Sequence, residues 1–164
     1  MDGDRYRTAM TVVERAGTED IEQLVELESA LFREDAGVHE RYADITWPER
    51  EGRGDFERLM ADPNSFVLVG RDGHDAVGFL VGYLTPSSPS RQPVTYAVLR
   101  SLYVHPQHRG TGTAGMLTDR FLAWARKHRC VEAHVDAYTA NERAQRFYER
   151  HGFTSQSISR VHSL

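Results

Sequence analysis

The apolar positions along the chain change their period several times, and each change predicts an element. Residues 11–15, Thr-Val-Val-Glu-Arg, read as a short first strand, and Ala16-Gly17-Thr18 supplies a turn and cap. Glu19 and Asp20 suit a helix N-terminus, where the backbone dipole favours negative charge. Ile21, Leu24, Val25, Leu27, Glu28 and Leu31 then follow with helical spacing. From Arg33 to Trp47 the period is lost, and the segment reads as an acidic, irregular connection. Pro48 can open a second helix, which carries Phe56, Leu59 and Met60 and stops at Asp62-Pro63-Asn64.

After Ser65 the pattern turns to strands. Phe66-Val67-Leu68-Val69 is a buried strand, Asp72-Gly73 a hairpin turn, and residues 76–84 the returning strand. The Pro- and Ser-rich residues 85–93 read as a loop, followed by a strand over 94–104 that Pro106 ends. A glycine-rich turn leads into a helix whose apolar face is Leu117, Phe121, Leu122 and Ala125. Lys127, His128 and Arg129 sit in its last turn. Residues 133–137 form a short strand. Thr139 and Glu142 are spaced as a capping box for a helix reaching His151, which Gly152 stops, and a final strand is expected from Phe153 onward.

At 164 residues the chain has the size of a single domain with a real core. No apolar run approaches the roughly eighteen residues of a membrane span. Residues 1–7 are charged and lack an apolar segment, so no secretory leader is expected and no membrane partner. Cys130 is the only cysteine, which fits a reducing cytoplasm and a packed, structural thiol. A net charge of −4 speaks against a nucleic-acid partner and is compatible with a cationic small molecule.

The candidate chemistry begins at Arg109-Gly110-Thr111-Gly112-Thr113-Ala114-Gly115. Glycines there let backbone amides point inward, and with the positive end of the following helix they form an anion cradle. Gly110-x-Gly112-x-x-Gly115 matches a dinucleotide fingerprint as a string. However, His105 to Arg109 separate it from the strand, and about fifty residues are too few for that fold's nucleotide half. A nucleotide P-loop is excluded because Met116 and Leu117 replace its Lys and Ser/Thr.

The segment instead resembles the pyrophosphate loop of the GNAT (GCN5-related N-acetyltransferase) family, with Arg109, Gly112 and Ala114 in the places of its short motif. A second block, Asn141-Glu142-Arg143-Ala144-Gln145-Arg146-Phe147-Tyr148 with Gly152-Phe153, is similar to that family's Asn-x-x-Ala-x-x-Phe-Tyr run. The resemblance covers residues 65–155 well and the N-terminal third in outline. It implies an α/β (α+β) fold over residues 1–164, a mixed, mostly antiparallel sheet flanked by helices in the order β-α-α-β-β-β-α-β-α-β. Residues 94–153 would be the acetyl-CoA-binding core and 34–62 the variable acceptor segment.

The same resemblance implies the site. Amides from Arg109, Gly110, Thr111, Gly112, Thr113 and Ala114 would hold the pyrophosphate of acetyl-CoA, and Leu102, Tyr103 and Val104 would pair with its pantetheine arm. Asn141 would bond pantetheine as well as opening its helix, with Ala144 and Phe147 packing beside it. Tyr148 is the expected general acid, since a phenol can give a proton to a departing thiolate.

No carboxylate lies on the strand before the loop. The base is therefore open among Glu34, Asp35, Asp136, His105 and a water chain. His134, like Asp136, also reads as a solvated strand residue. His105 and His108 have no third ligand in zinc spacing, so no metal is expected. Glu34 and Asp35, with Tyr42 and Trp47, are the acceptor-site candidates: acids for ammonium groups, rings for sugar faces. The expected activity is acetyl-CoA-dependent acetylation of a primary amine on a small cation, an aminoglycoside-type antibiotic first among them. A lysine or N-terminal protein acetyltransferase, and a non-catalytic acyl-CoA-binding module, are the alternatives. A homodimer is compatible with the sequence.

Overall fold

The computed structural model describes residues 11–164; the absence of a leader, expected from residues 1–7, lies outside them. Strand β1 (Val12–Arg15) leads through a single turn, Thr18–Asp20, into helix α1 (Ile21–Leu31). That helix widens into a π turn, Phe32–Ala36, and closes with a last helical turn, α2 (Gly37–His39). Helix α3 (Trp47–Ala61) carries Pro48 in its first turn, where a missing N–H costs nothing. Strands β2 (Ser65–Asp72), β3 (Asp75–Pro86) and β4 (Thr95–Val104) follow, then helix α4 (Thr113–Lys127), strand β5 (Glu132–Val135) and helix α5 (Glu142–Arg150).

The five strands lie in sequence order in one sheet, antiparallel except for the parallel pair β4–β5. Both faces are covered, which explains the nearly continuous apolar runs in β2 and β3. Phe66, Leu68 and Leu80 meet Leu117, Phe121 and Trp124 of α4 on one face. Val67, Val69, Phe79 and Val81 meet Ile21, Leu24, Leu27 and Phe56 of α1 and α3 on the other. Alternate residues of a strand point to opposite faces, so one strand serves two cores. Gly82 is required by packing: a Cβ there would lie 2.5 Å from the Phe121 ring.

In β4 the alternation reverses. Ala97 and Leu99 face α4, and so do Leu102 and Val104, whereas Tyr103 joins the α1 core. The cause is a bulge: Val81 pairs with Ser101 and Gly82 with Leu99, leaving Arg100 as the extra residue. The Arg100 guanidinium reaches Glu28 of α1 at 3.1 Å and Asp55 of α3 at 2.8 Å.

Three sequence expectations differ from the structure. Residues 33–47 are not uniformly irregular, because the π turn and α2 carry the chain on from α1. The N-cap of α5 is Asn141, whose side chain accepts the Ala144 N–H at 3.1 Å, and not Thr139. No strand forms after Phe153. Cys130 packs against the α4 core, and burial raises its thiol pKa.

Glu28 is only 1% exposed, and its Oε2 finds no partner among the described residues. Burial pushes its carboxyl up to about 7; Arg100 opposes the rise and Asp55 adds to it. Below the ordinary value of 4.5, Glu28 is protonated both folded and unfolded, and its contribution to stability is fully present. Between 4.5 and about 7 only the unfolded chain ionises, so stability falls as pH rises, by about 3 kcal/mol in total. Glu28→Gln should remove this slope. In urea titrations the variant should unfold later than wild type at about pH 8 and together with it near pH 4.5. Equal midpoints at the higher pH would show that the folded carboxyl ionises at no cost.

Candidate active site

The turn after β4 is built so that its amides stay free. His105 opens a 3₁₀ turn, Pro106–His108, its Nδ1 accepting the Gln107 N–H at 3.4 Å. Gly110 and Gly112 follow with φ of 78° and 85°, a region costly for any residue with a Cβ. A Cβ on either would meet nothing within 4 Å, so the space above the loop is open. Among the described residues the amides of Gly110, Thr111 and Gly112 donate to no backbone carbonyl. Helix α4 starts at Thr113 without a side-chain cap. The result is a row of unused donors at the positive end of a fifteen-residue helix, chemistry suited to a phosphate group.

Beside this cradle the sheet opens. The pairing of β4 with β5 ends at Leu99 and Val135, while β4 runs on to Val104 paired with β3 alone. A cleft of about 960 Å³ occupies the divergence. Leu102, Tyr103 and Val104 line it from β4, Arg109, Gly110, Gly112, Thr113 and Ala114 from the turn, and Asn141, Ala144, Phe147 and Tyr148 from α5. Thr111 is not on its wall; the hydroxyl donates to the His108 carbonyl at 2.6 Å and pairs with Thr113.

The remaining wall comes from the π turn. Consecutive residues of a regular helix diverge by about 100°. The wider turn nevertheless brings both Glu34 and Asp35 to the cleft. Glu34 accepts hydrogen bonds from the Tyr103 hydroxyl at 2.8 Å and Arg109 Nη2 at 2.7 Å. Burial would raise its pKa, but these two bonds and the charges of Arg109 and Arg143 outweigh it and hold the carboxyl below its usual range. Tyr103 is correspondingly pushed up to about 12, by burial first and by Glu34 second. Arg109 also donates through Nε to the Val104 carbonyl at 2.8 Å, with its guanidinium 5.4 Å above the Tyr103 ring. Its side chain thus ties the strand end to the π turn and leaves anion contact to the backbone.

Asp35 accepts Asn141 Nδ2 at 2.9 Å, and His39 Nε2 lies 3.7 Å from the same carboxylate oxygen. Tyr148 is packed edge-on between Phe147 and Phe153, and burial, with the Asp35 charge second, raises its phenol pKa well above the usual value. Tyr148 therefore carries its proton throughout the neutral range.

Several expected site residues lie elsewhere. The Tyr42 ring is 83% exposed, under the Arg41 guanidinium. Trp47 stacks on Phe32 at 5.9 Å beside a smaller recess of about 320 Å³ shared with Glu28, Arg100 and Ser101. The structure brings neither ring to the cleft wall. Asp136 lines the cleft, whereas His105 caps its turn and His134 pairs with Glu132 at 2.8 Å. Sequence reasoning missed His39, Arg143, Arg150 and His151, all on the cleft wall. The four-residue interval from Asp35 to His39 was the available signal for the first. Among the described residues no three metal-ligating side chains cluster, and no helix is long and apolar enough to cross a membrane.

Comparison with known proteins points one way. Residues 21–153 match the profile of the Acetyltransferase (GNAT) family. An uncharacterised N-acetyltransferase of Mycobacterium tuberculosis is 34% identical over 98 residues, which span 60% of this chain and 58% of that protein's own length. An aminoglycoside N(6')-acetyltransferase of Acinetobacter genomosp. 13 is 26% identical over 115 residues, 66% of this chain and 77% of that one. Among solved structures, an aminoglycoside N-acetyltransferase in complex with CoA superposes with a TM-score of 0.79 over 98% of each chain, at 16% identity. A mutant of the BH1408 protein of Bacillus halodurans gives 0.83 over 93% of this chain and 99% of that one, at 22% identity.

The Arg109 bonds make a measurable claim. Arg109→Ala should destabilise the fold by about 1 kcal/mol, since the pair with Glu34 is partly solvated, and lower Tm by about 2–4 °C. Denaturant unfolding of Arg109→Ala, Glu34→Ala and the double variant should give a non-zero coupling. Strict additivity would show that the contact holds nothing together.

Proposed function

Since the chain belongs to the GNAT family of acetyltransferases, we propose that it transfers the acetyl group of acetyl-CoA to a primary amine of a small cationic acceptor. An aminoglycoside-type antibiotic is the first candidate. The observation that carries this reading is the coincidence, in one cleft, of the open glycine cradle, the divergence of β4 from β5, and Tyr148.

The glycine-turn amides and the N-terminus of α4 would take the pyrophosphate of acetyl-CoA. The unpaired edge of β4 from Ser101 to Val104 offers backbone groups to the amides of its pantetheine arm. This would place the thioester between Tyr148 and Asp35. A neutral amine attacks the carbonyl carbon, the C–S bond breaks, and the Tyr148 hydroxyl is available to the departing sulfur. Asp35 and Asp136 give the acceptor end acidic character, whereas Glu34 is neutralised by Arg109. The relatives named as aminoglycoside acetyltransferases support the choice of acceptor class. The test is a panel of aminosugars, polyamines, neutral amines and peptides incubated with acetyl-CoA and read by free thiol. Peptides outrunning every small cation would transfer the reading to protein acetylation.

Two substitutions probe the donor half. Gly112→Asp should weaken acetyl-CoA binding far more than Gly112→Asn, because both side chains strain the same positive φ and only one repels phosphate. Calorimetric titration of the two folded variants decides, and equal affinities would refute the cradle. Tyr148→Phe should keep acetyl-CoA affinity and lower kcat by roughly 10²- to 10⁴-fold. Turnover within a few-fold of wild type would assign the proton to water.

A further inference from the structure

The reaction also needs a group to remove the proton that the attacking nitrogen carries, and β4 supplies no carboxylate for it. Glu34 reaches the end of β4 through the Tyr103 hydroxyl, but two hydrogen-bond donors and the Arg109 charge already hold its ionised form, which makes it a poor proton acceptor. Three histidines line the cleft, His39, His108 and His151. His108 belongs to the 3₁₀ turn at the anion cradle. His151 is committed to α5: its Nδ1 sits 2.8 Å from the Phe147 carbonyl and its ring 4.2 Å from the Phe147 ring. His39 alone stands beside the acids of the π turn. Its side chain is 18% exposed, and its ring leans on Tyr138 at 5.3 Å.

We propose that His39 is the general base of the transfer and that Asp35 is its positioning residue. The π turn and α2 place the two four residues apart on one wall of the cleft. Asp35 faces His39 Nε2 at 3.7 Å, an ion-pair distance that closes to a hydrogen bond with a small side-chain rotation. Asn141 Nδ2 donates to the same Asp35 oxygen at 2.9 Å and holds the carboxylate in place. With its Nε2 proton directed at Asp35, the ring keeps the Nδ1 lone pair for the substrate. A carboxylate orienting an imidazole and stabilising its protonated form is the arrangement that makes histidine an effective base. The groups beside His39 are Asp35 and Tyr138, whose hydroxyl donates to Glu40; Glu34, Asp136 and Arg143 are the other charged groups lining this part of the cleft.

The step balances. The amine nitrogen forms a bond to the acetyl carbon and loses one proton to His39, while the C–S electron pair leaves on sulfur and takes a proton from Tyr148. The imidazolium proton returns to the phenolate through solvent, and amide and free thiol are the net products. The inference rests on the acetyl-transfer reading, so wild-type thiol release with the amine panel comes first; no release with any amine would overturn that reading and the proposal with it.

With acetyl-CoA and the fastest amine of the panel, His39→Gln and His39→Gly should lower kcat by roughly 10²- to 10⁴-fold while calorimetric acetyl-CoA affinity is unchanged. Added imidazole should restore turnover to His39→Gly and not to Asp35→Asn, a rescue that a purely structural role cannot give. Asp35→Asn should lose less than His39→Gln. His39→Gln within a few-fold of wild type, an Asp35→Asn loss exceeding the histidine's, or no imidazole rescue in a folded His39→Gly would each overturn the proposal.

Discussion

One extra residue in β4 governs the site. Before the bulge, odd-numbered residues of the strand face α4; after it, even-numbered ones do. Without the inversion Tyr103 would point into the α4 core and could not reach Glu34, and Leu102 and Val104 would present the wrong sides to the cleft. The bulge also turns Arg100 toward α1 and α3, where it meets Glu28 and Asp55. A bulge of this kind increases local twist. It stands immediately beside the last paired residue, Leu99, after which β4 and β5 separate. Cleft, tyrosine and buried charge cluster therefore share a cause in backbone register.

The electrostatics of residues 34–62 follow from pairing more than from composition. The stretch is rich in acids, yet Glu34 pairs with Arg109, Asp44 with Arg50, Glu49 with Arg33, Glu57 with Arg53 and Asp55 with Arg58 and Arg100. Charges neutralised in this way exert little field at a distance, and less once salt screens them over about 8 Å. On the proposed function, acceptor preference would then depend on the few carboxylates left facing the cleft, chiefly Asp35 and Asp136, rather than on a diffuse acidic surface.

What could be read from the sequence was whatever depends on short-range pattern. The β2–β3 hairpin, with Gly73 at a φ of 63°, follows from an apolar run, Asp72-Gly73 and a second apolar run. The glycine cradle was legible because positive φ at Gly110 and Gly112 demands glycine, and the Asn141–Tyr148 block because it resembles a family motif. The π turn was not, since one inserted position breaks the 3.6-residue period and makes a helix look irregular. That hid His39. The strand expected after Phe153 fails for the converse reason: Ile158, Val161 and Leu164 recur every third residue and remain exposed, so they cannot share one face of a strand. Only residue type marks Tyr42 and Trp47 as acceptor-site candidates, and type does not fix where a side chain points: one ring is exposed and the other stacks on Phe32.

On the proposed mechanism, Asp35 would join the two halves of the chemistry. Its negative charge, added to burial, keeps the Tyr148 phenol protonated, and the same carboxylate lies 3.7 Å from His39 Nε2. A phenol so reluctant to ionise is a weak source of a whole proton for a thiolate, whose own ordinary value lies near that of a cysteine, about 8.5. It is a good hydrogen-bond donor to one. On the same proposal the balance would shift when an amine proton reaches the Asp35 side of the cleft: a new positive charge there offsets the carboxylate and makes the phenolate less costly to form. On the proposed mechanism, deprotonation of the acceptor and protonation of the leaving group would thereby be coupled through one carboxylate, each step easing the other.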